Sequence, residues 1–214
     1  PKQQVDPKDI DWKAFCGNAP EQKFDDYKQR QWRWFWDFGG GLLTDLMVHQ
    51  VDIVHWILGV DHPEWATSIG NYFSAKDVWE TPDTIQCLLS YGDKFQGYFE
   101  GTFSNARNNA MIELMGTHAT IYLDRGRYEL HPEKRKTAVP AESMILGSGD
   151  KGKDFYDKPE GELLHLTNWI ECIRSREKPI APAEAGVSAA SAAHLGNLAY
   201  RKGEVAHWKS VPKH

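Results

Sequence analysis

The stretch from Gly39 to Gly59, GGGLLTDLMVHQVDIVHWILG, restricts the possible fold more than any other part of the chain. Three glycines close an aromatic run, and the segment after them has the length and regularity of a helix. Leu42, Leu46, Ile53 and Ile57 recur at helical spacing and predict the buried stripe. Asp45, His49, Asp52 and Trp56 form a second series; at about 100° per residue they fall within about one quadrant. Such a helix presents a carboxylate and an imidazole one turn apart, the pairing that proton transfer needs. The glycines ahead of it let the backbone pass close to another part of the structure.

The 214 residues are 41% hydrophobic and 26% charged, enough for a real core and suggestive of one domain. The net charge of -5 and the lack of a basic block argue against nucleic acid and anionic membrane as partners. No apolar run is long enough to span a bilayer, and the polar start PKQQVDPKDIDW is not a signal peptide. Cys16, Cys87 and Cys172 are far apart and show neither metal-ligand spacing nor a disulfide framework. The expected location is the cytoplasm, although a removed leader would leave no trace.

Residues 1–31 read as an extended leading segment or linker, with Asp11–Phe15 as a short turn or strand. Residues 32–214 read as a single α+β substrate domain. Trp32–Phe38, WRWFWDF, predicts a strand or extended run, either core or subunit-contact packing or a platform for a sugar or a flat cofactor with Arg33 and Trp36 at the site. After the central helix, strands are expected at Trp65–Phe73, Asp83–Tyr91, Phe95–Phe103, Met111–Met115, Thr120–Leu123 and Arg127–Leu130. Turns at Tyr91–Lys94, Gly116–His118 and Arg125–Gly126 make neighbours antiparallel. The layout is a large open antiparallel sheet with helices on one face. Residues 132–161 read as a long loop, helices at Leu163–Arg174 and Ala183–Arg201 close the chain, and Val205–Lys209 adds an edge strand. No G-x-G-x-x-G follows a strand, so no dinucleotide site of the usual kind is expected here.

These landmarks, taken in order, resemble the C-terminal domain of the glucose–fructose oxidoreductase/inositol dehydrogenase/MocA (Gfo/Idh/MocA) family. The matching stretches are Gly39–Gly59, Glu80–Thr84, Leu114–Thr117, Arg174–Pro179 and Ala192–Arg201. The Trp12…Pro20 start and the WRWFWDFGGG run look most like a sugar-active branch. The resemblance implies catalytic roles for His49, as acid/base next to the reacting hydroxyl, and for Asp45, which positions the substrate or the histidine. It also implies substrate contacts from Arg33, Trp36, Asp52, His165 and His194. It implies a carbohydrate substrate and self-association through the sheet face. NAD or NADP would be held by a Rossmann domain that this chain does not contain, so no cofactor is expected on the chain alone and a fragment is the favoured reading. Glu177-Lys178-Pro179 spells the family's catalytic lysine tripeptide, but its place after a helix assigns Lys178 no such role. D-x-x-x-H-x-x-D-x-x-H could be drawn as a metal site, but His55 is rotated away from Asp45, and no metal is assigned. A cofactor-free hydrolase or isomerase, and a non-catalytic carbohydrate-binding or oligomerisation module, stand as alternatives.

Overall fold

A computed structural model describes residues 5–106, 110–124, 127–133, 141–145 and 161–210. Its backbone divides into two units, 1–106 with 184–214, and 107–183. All strand pairing in both is antiparallel, in two four-stranded sheets where one large sheet is expected. The strand Gln96–Thr102 ends where Phe103 N–H bonds the Asp83 carbonyl (2.9 Å) and Ser104 N–H the Thr102 hydroxyl (3.0 Å).

The first unit opens with two short helices, α1 (Trp12–Cys16) and α2 (Asp26–Arg30), in place of the expected extended segment. Asp11 and Asp25 cap them by accepting backbone N–H groups, which explains why so short a stretch turns helical. Trp12 stacks on Phe15 at 5.2 Å and meets Phe24 and Phe38, so the segment is packed onto the unit. The aromatic run is likewise no strand. Trp32–Trp34 is a 3₁₀ turn, and the Trp34 carbonyl accepts from the N–H groups of Glu80 and Thr81. With its hydrogen bonds met by turns and by that loop, the run has no need of a ladder.

A π-helical turn, Leu43–Met47, leads directly into α3 (Val48–Leu58). Through the turn and the helix the buried series runs Leu43, Met47, Val51 and His55, at steps of four. Leu42, Met47, Val51 and His55 face the core, while Leu46 is half-buried and Ile53 and Ile57 are 37% and 47% exposed, which corrects the predicted stripe. Strands β1 (Trp65–Asn71), β2 (Thr84–Ser90) and β3 (Gln96–Thr102) follow, at the positions the alternation predicts. Ala66, Ile85, Cys87 and Leu89 point inward, with Ile69, Leu88 and Tyr98 on the outer face. Asp83, fully buried before β2, accepts from the N–H groups of Phe73, Ser74 and Ala75 and from the Thr84 hydroxyl. Burial pushes its carboxyl up, but these bonds outweigh burial and hold it below the ordinary value.

The second unit is an antiparallel meander of β4 (Met111–Met115), β5 (Ala119–Asp124), β6 (Arg127–Pro132) and β7 (Glu142–Ile145), with helix α4 (Gly161–Ser175). Arg127 pairs with Asp124 and Glu129 and lies over the Tyr122 ring. Strand β7 lies inside the stretch expected to be loop. The expected turn at Arg125–Gly126 and most of residues 134–160 lie outside the described residues.

Helix α5 (Ala183–Lys202) returns to the first unit, and β8 (Ala206–His207) pairs with β1. Alanines 189, 192, 193 and 199 let α5 lie close against the sheet beside α3. Among the described residues no helix is long and apolar enough to cross a membrane.

His55 fastens α3 to both neighbours. The Ser188 hydroxyl donates to the Asp61 carbonyl (2.6 Å), so it accepts from His55 Nδ1–H (2.7 Å), and His55 Nε2 accepts from the Tyr91 hydroxyl (2.7 Å). Burial lowers the His55 pKa below its ordinary 6.5. The unfolded chain therefore takes up this proton at a higher pH than the folded one. The stabilisation is complete above about 6.5 and is lost as pH falls below that value. Urea unfolding is expected to show stability declining from pH 7 to 5.5, with a shallower slope in His55→Gln; identical slopes would contradict this role.

Candidate functional site

Two groups of the expected site residues emerge in the first unit. The earlier group starts on the π turn. Asp45 is half-buried and accepts from Arg33 Nε at 3.0 Å. The Arg33 guanidinium lies 5.2 Å from the Trp32 ring and 5.9 Å from that of Trp34. The aromatic run thus holds a cation, and the cation holds the carboxylate. A salt bridge this accessible adds at most about 1 kcal/mol to stability, so its main effect is on orientation. His49 and Asp52 lie further along the helix and are exposed, as is Trp56 at 78%. Among the described residues no hydrogen bond joins Asp45 to His49, which leaves the imidazole free to meet a ligand. π turns of this kind occur frequently at functional sites.

The later group surrounds a cavity of about 420 Å³ lined by Trp36, Gly39, Gly40, His194, Asn197, Leu198, Arg201 and Lys202. Its volume is in the range of small-molecule sites, about 300–1,000 Å³. Trp36 and His194, both expected to contact substrate, meet here. The α5 residues recur at helical spacing from His194 and line one face, opposite the alanines on the sheet. That spacing was available in the sequence; what could not be read was that Trp36 would sit across from it.

Trp36 is placed by a chain of contacts. The Glu80 carboxylate accepts its backbone N–H (3.0 Å) and also binds Lys28 (3.3 Å). The Tyr72 hydroxyl donates to the Glu80 carbonyl at 2.6 Å; burial and the neighbouring Tyr200 push its pKa up to about 12, so it stays a donor. Tyr200 packs on the Trp36 ring at 6.2 Å and the Arg201 guanidinium at 5.1 Å, so the ring is less bare than a sugar platform would be. Gly41 has φ +61°, and a Cβ on it would strike Thr81 at 2.6 Å. A Cβ on Gly40 would meet Asn197 Nδ2 at 2.4 Å, the atom that donates to the Gly40 carbonyl.

His165 is exposed on α4 in the other unit. His55 is turned into the core, and among the described residues no three His, Cys, Asp or Glu side chains could hold a metal ion. The described residues, with only antiparallel strand pairs, do not form the parallel βαβ unit that holds a dinucleotide.

Comparison with known proteins places this arrangement. A profile described as GFO/IDH/MocA C-terminal domain matches residues 13–122, more than half of the chain. The chain belongs to the GFO/IDH/MocA family. The matched part of this GFO/IDH/MocA domain contains Arg33, Trp36, Asp45, His49 and Asp52; His165, His194 and the α5 side of the cavity lie beyond it. Trans-1,2-dihydrobenzene-1,2-diol dehydrogenase of Mus musculus is 26% identical over 159 residues, which are 69% of this chain and 42% of that protein. An NAD binding oxidoreductase from Klebsiella pneumoniae shares the fold with a TM-score of 0.65 at 18% identity, over 85% of this chain and 54% of that one. Aldose-aldose oxidoreductase from Caulobacter crescentus, complexed with glycerol, gives 0.62 at 17%, over 83% and 51%. The chain spans about half the length of these relatives.

Gly40→Ala is expected to lower stability by about 1–3 kcal/mol, because neither Asn197 nor Thr44 can withdraw without losing contacts. An unchanged urea midpoint would show that the triple glycine is not needed for this approach.

Proposed function

We propose that this GFO/IDH/MocA domain is the substrate-binding and proton-transfer half of an NAD(P)-dependent oxidoreductase acting on a sugar, polyol or glycoside. The observation that carries the reading is the division of labour on one helix. Asp45 is committed to Arg33, and His49 stands uncommitted on the open side. A carboxylate neutralised by a guanidinium orients; an accessible imidazole takes a proton. His49 would accept the hydroxyl proton of the substrate as the carbinol carbon is oxidised, and Asp45 with Arg33 would fix the neighbouring hydroxyl. A nicotinamide, when bound, would supply the hydride acceptor. It would be held by a dinucleotide-binding domain, for which the described residues have no cradle.

The exposed side of α3 supports such a partner. Ile53, Trp56 and Ile57 stand uncovered around His49 and Asp52, an apolar margin suited to a second domain closing over the pair. The name of the mouse relative specifies a vicinal diol and that of the Caulobacter protein an aldose, and both are in keeping with a polyhydroxylated substrate. The reading also includes self-association through the outer sheet face of Ile69, Leu88 and Tyr98, and a cytoplasmic location, in line with three unpaired cysteines.

In the complete oxidoreductase, His49→Ala is expected to lower kcat by about 10²–10⁴-fold with KM little changed. Activity retained within about threefold would remove His49 from the proton-transfer role and favour a binding module.

A further inference from the structure

The cavity between Trp36 and α5 contains more chemistry than the proposed proton transfer uses. Two cationic side chains, Arg201 and Lys202, line it together with the imidazole of His194. Basic residues in the last turn of a helix are favoured by its dipole, so their presence alone calls for no ligand. Their setting does. The Arg201 guanidinium lies 5.1 Å from the Trp36 ring, and among the described residues it makes no ion pair. A stacked guanidinium keeps its N–H edge available for a planar oxyanion. Lys202 is spent only in part, with Glu204 3.8 Å away. In the wall, Asn197 is 5% exposed; its Nδ2 is used by Gly40, and its Oδ1 accepts no hydrogen bond among the described residues. A guanidinium without an ion-pair partner, stacked on an aromatic ring beside a second, partly engaged cation at one concave surface, matches a ligand that bears a carboxylate.

Building on the carbohydrate reading above, we propose that this cavity is an acid subsite. It binds the carboxylate of a sugar acid or polyhydroxy acid through Arg201, assisted by Lys202. The substrate class narrows accordingly from neutral sugars to uronic or aldonic acids. Trp36 acts here as the support for Arg201, which accounts for its being tied to Glu80 and packed against Tyr200.

The test is calorimetric titration of the 214-residue chain with sodium D-glucuronate, D-glucose and inorganic phosphate. Glucuronate is expected to bind about tenfold or more tightly than glucose, with an affinity that falls as salt rises. Arg201→Gln should abolish that preference, while Arg201→Lys, which keeps the charge and loses the planar fork, should retain part of it. Circular dichroism would verify that each variant is folded. His49→Ala should leave the preference intact, so loss of turnover in the complete enzyme and loss of acid selectivity report on different claims. Equal binding of the two sugars would overturn the acid subsite and leave the proton-transfer reading standing. Absence of glucuronate binding, a preference unchanged in Arg201→Gln, or phosphate competing as well as glucuronate would each overturn it as well.

Discussion

The hydrogen bonds of the buried His55 imidazole fix the helix on which the proposed chemistry depends. One ring nitrogen reaches Ser188 at the start of α5 and the other reaches Tyr91 just beyond β2, so one side chain ties a helix to its neighbouring helix and to the sheet. Met47 and Val51 continue the same edge into the core. With that edge held, the opposite side of α3 has little rotational freedom, and His49 and Asp52 are presented outward by geometry rather than by contacts of their own. A site built on a rigid element keeps its reacting groups in place at little cost when the ligand arrives.

The aromatic run does two jobs in succession. Trp34 stacks on Trp79 at 4.3 Å and meets Phe103 edge-on, which anchors the run in the unit. Its neighbours Arg33 and Trp36 are then turned toward the two halves of the site, one to Asp45 and one to the cavity. The triple glycine lets this run, the loop at Thr81 and α5 come together without side chains between them. The helix that carries Asp45 and His49 and the wall of the cavity are thus joined through a few residues of sequence, Arg33 to Asp45.

Much of the fold is legible in the chain. Strand-like segments separated by turn residues located β1 to β6 within a residue or two; the alanine-rich α5 and the helix after the glycines were equally plain. The failures have physical causes. The helix buries the series Leu43, Met47, Val51 and His55, in which an imidazole takes a core position, so a reading that follows only the aliphatic residues selects Leu46, Ile53 and Ile57 instead. Aromatic residues favour strands on average, but Trp32–Trp34 is held by a loop some 46 residues further along the chain, at Glu80, which no local pattern reveals. In the site, the Asp45–His49 helix was readable because both residues share one element. The pairing of Arg33 with Asp45 could not be read, because the two residues come from different elements. Arg201, Lys202 and Asn197 were missed, since only their opposition to Trp36 distinguishes them from an ordinary helix C-terminus.

In the function proposed above, this domain offers a positioned imidazole to a substrate hydroxyl and leaves the electrons to another domain. A crystal structure of the complete oxidoreductase with a bound polyol or sugar acid measures this directly. The account predicts an imidazole nitrogen of His49 within about 2.6–3.2 Å of the hydroxyl on the carbon facing the nicotinamide, with Asp45 still bound to Arg33. A substrate seated with its reacting hydroxyl on another base, and His49 out of hydrogen-bonding reach, would contradict it.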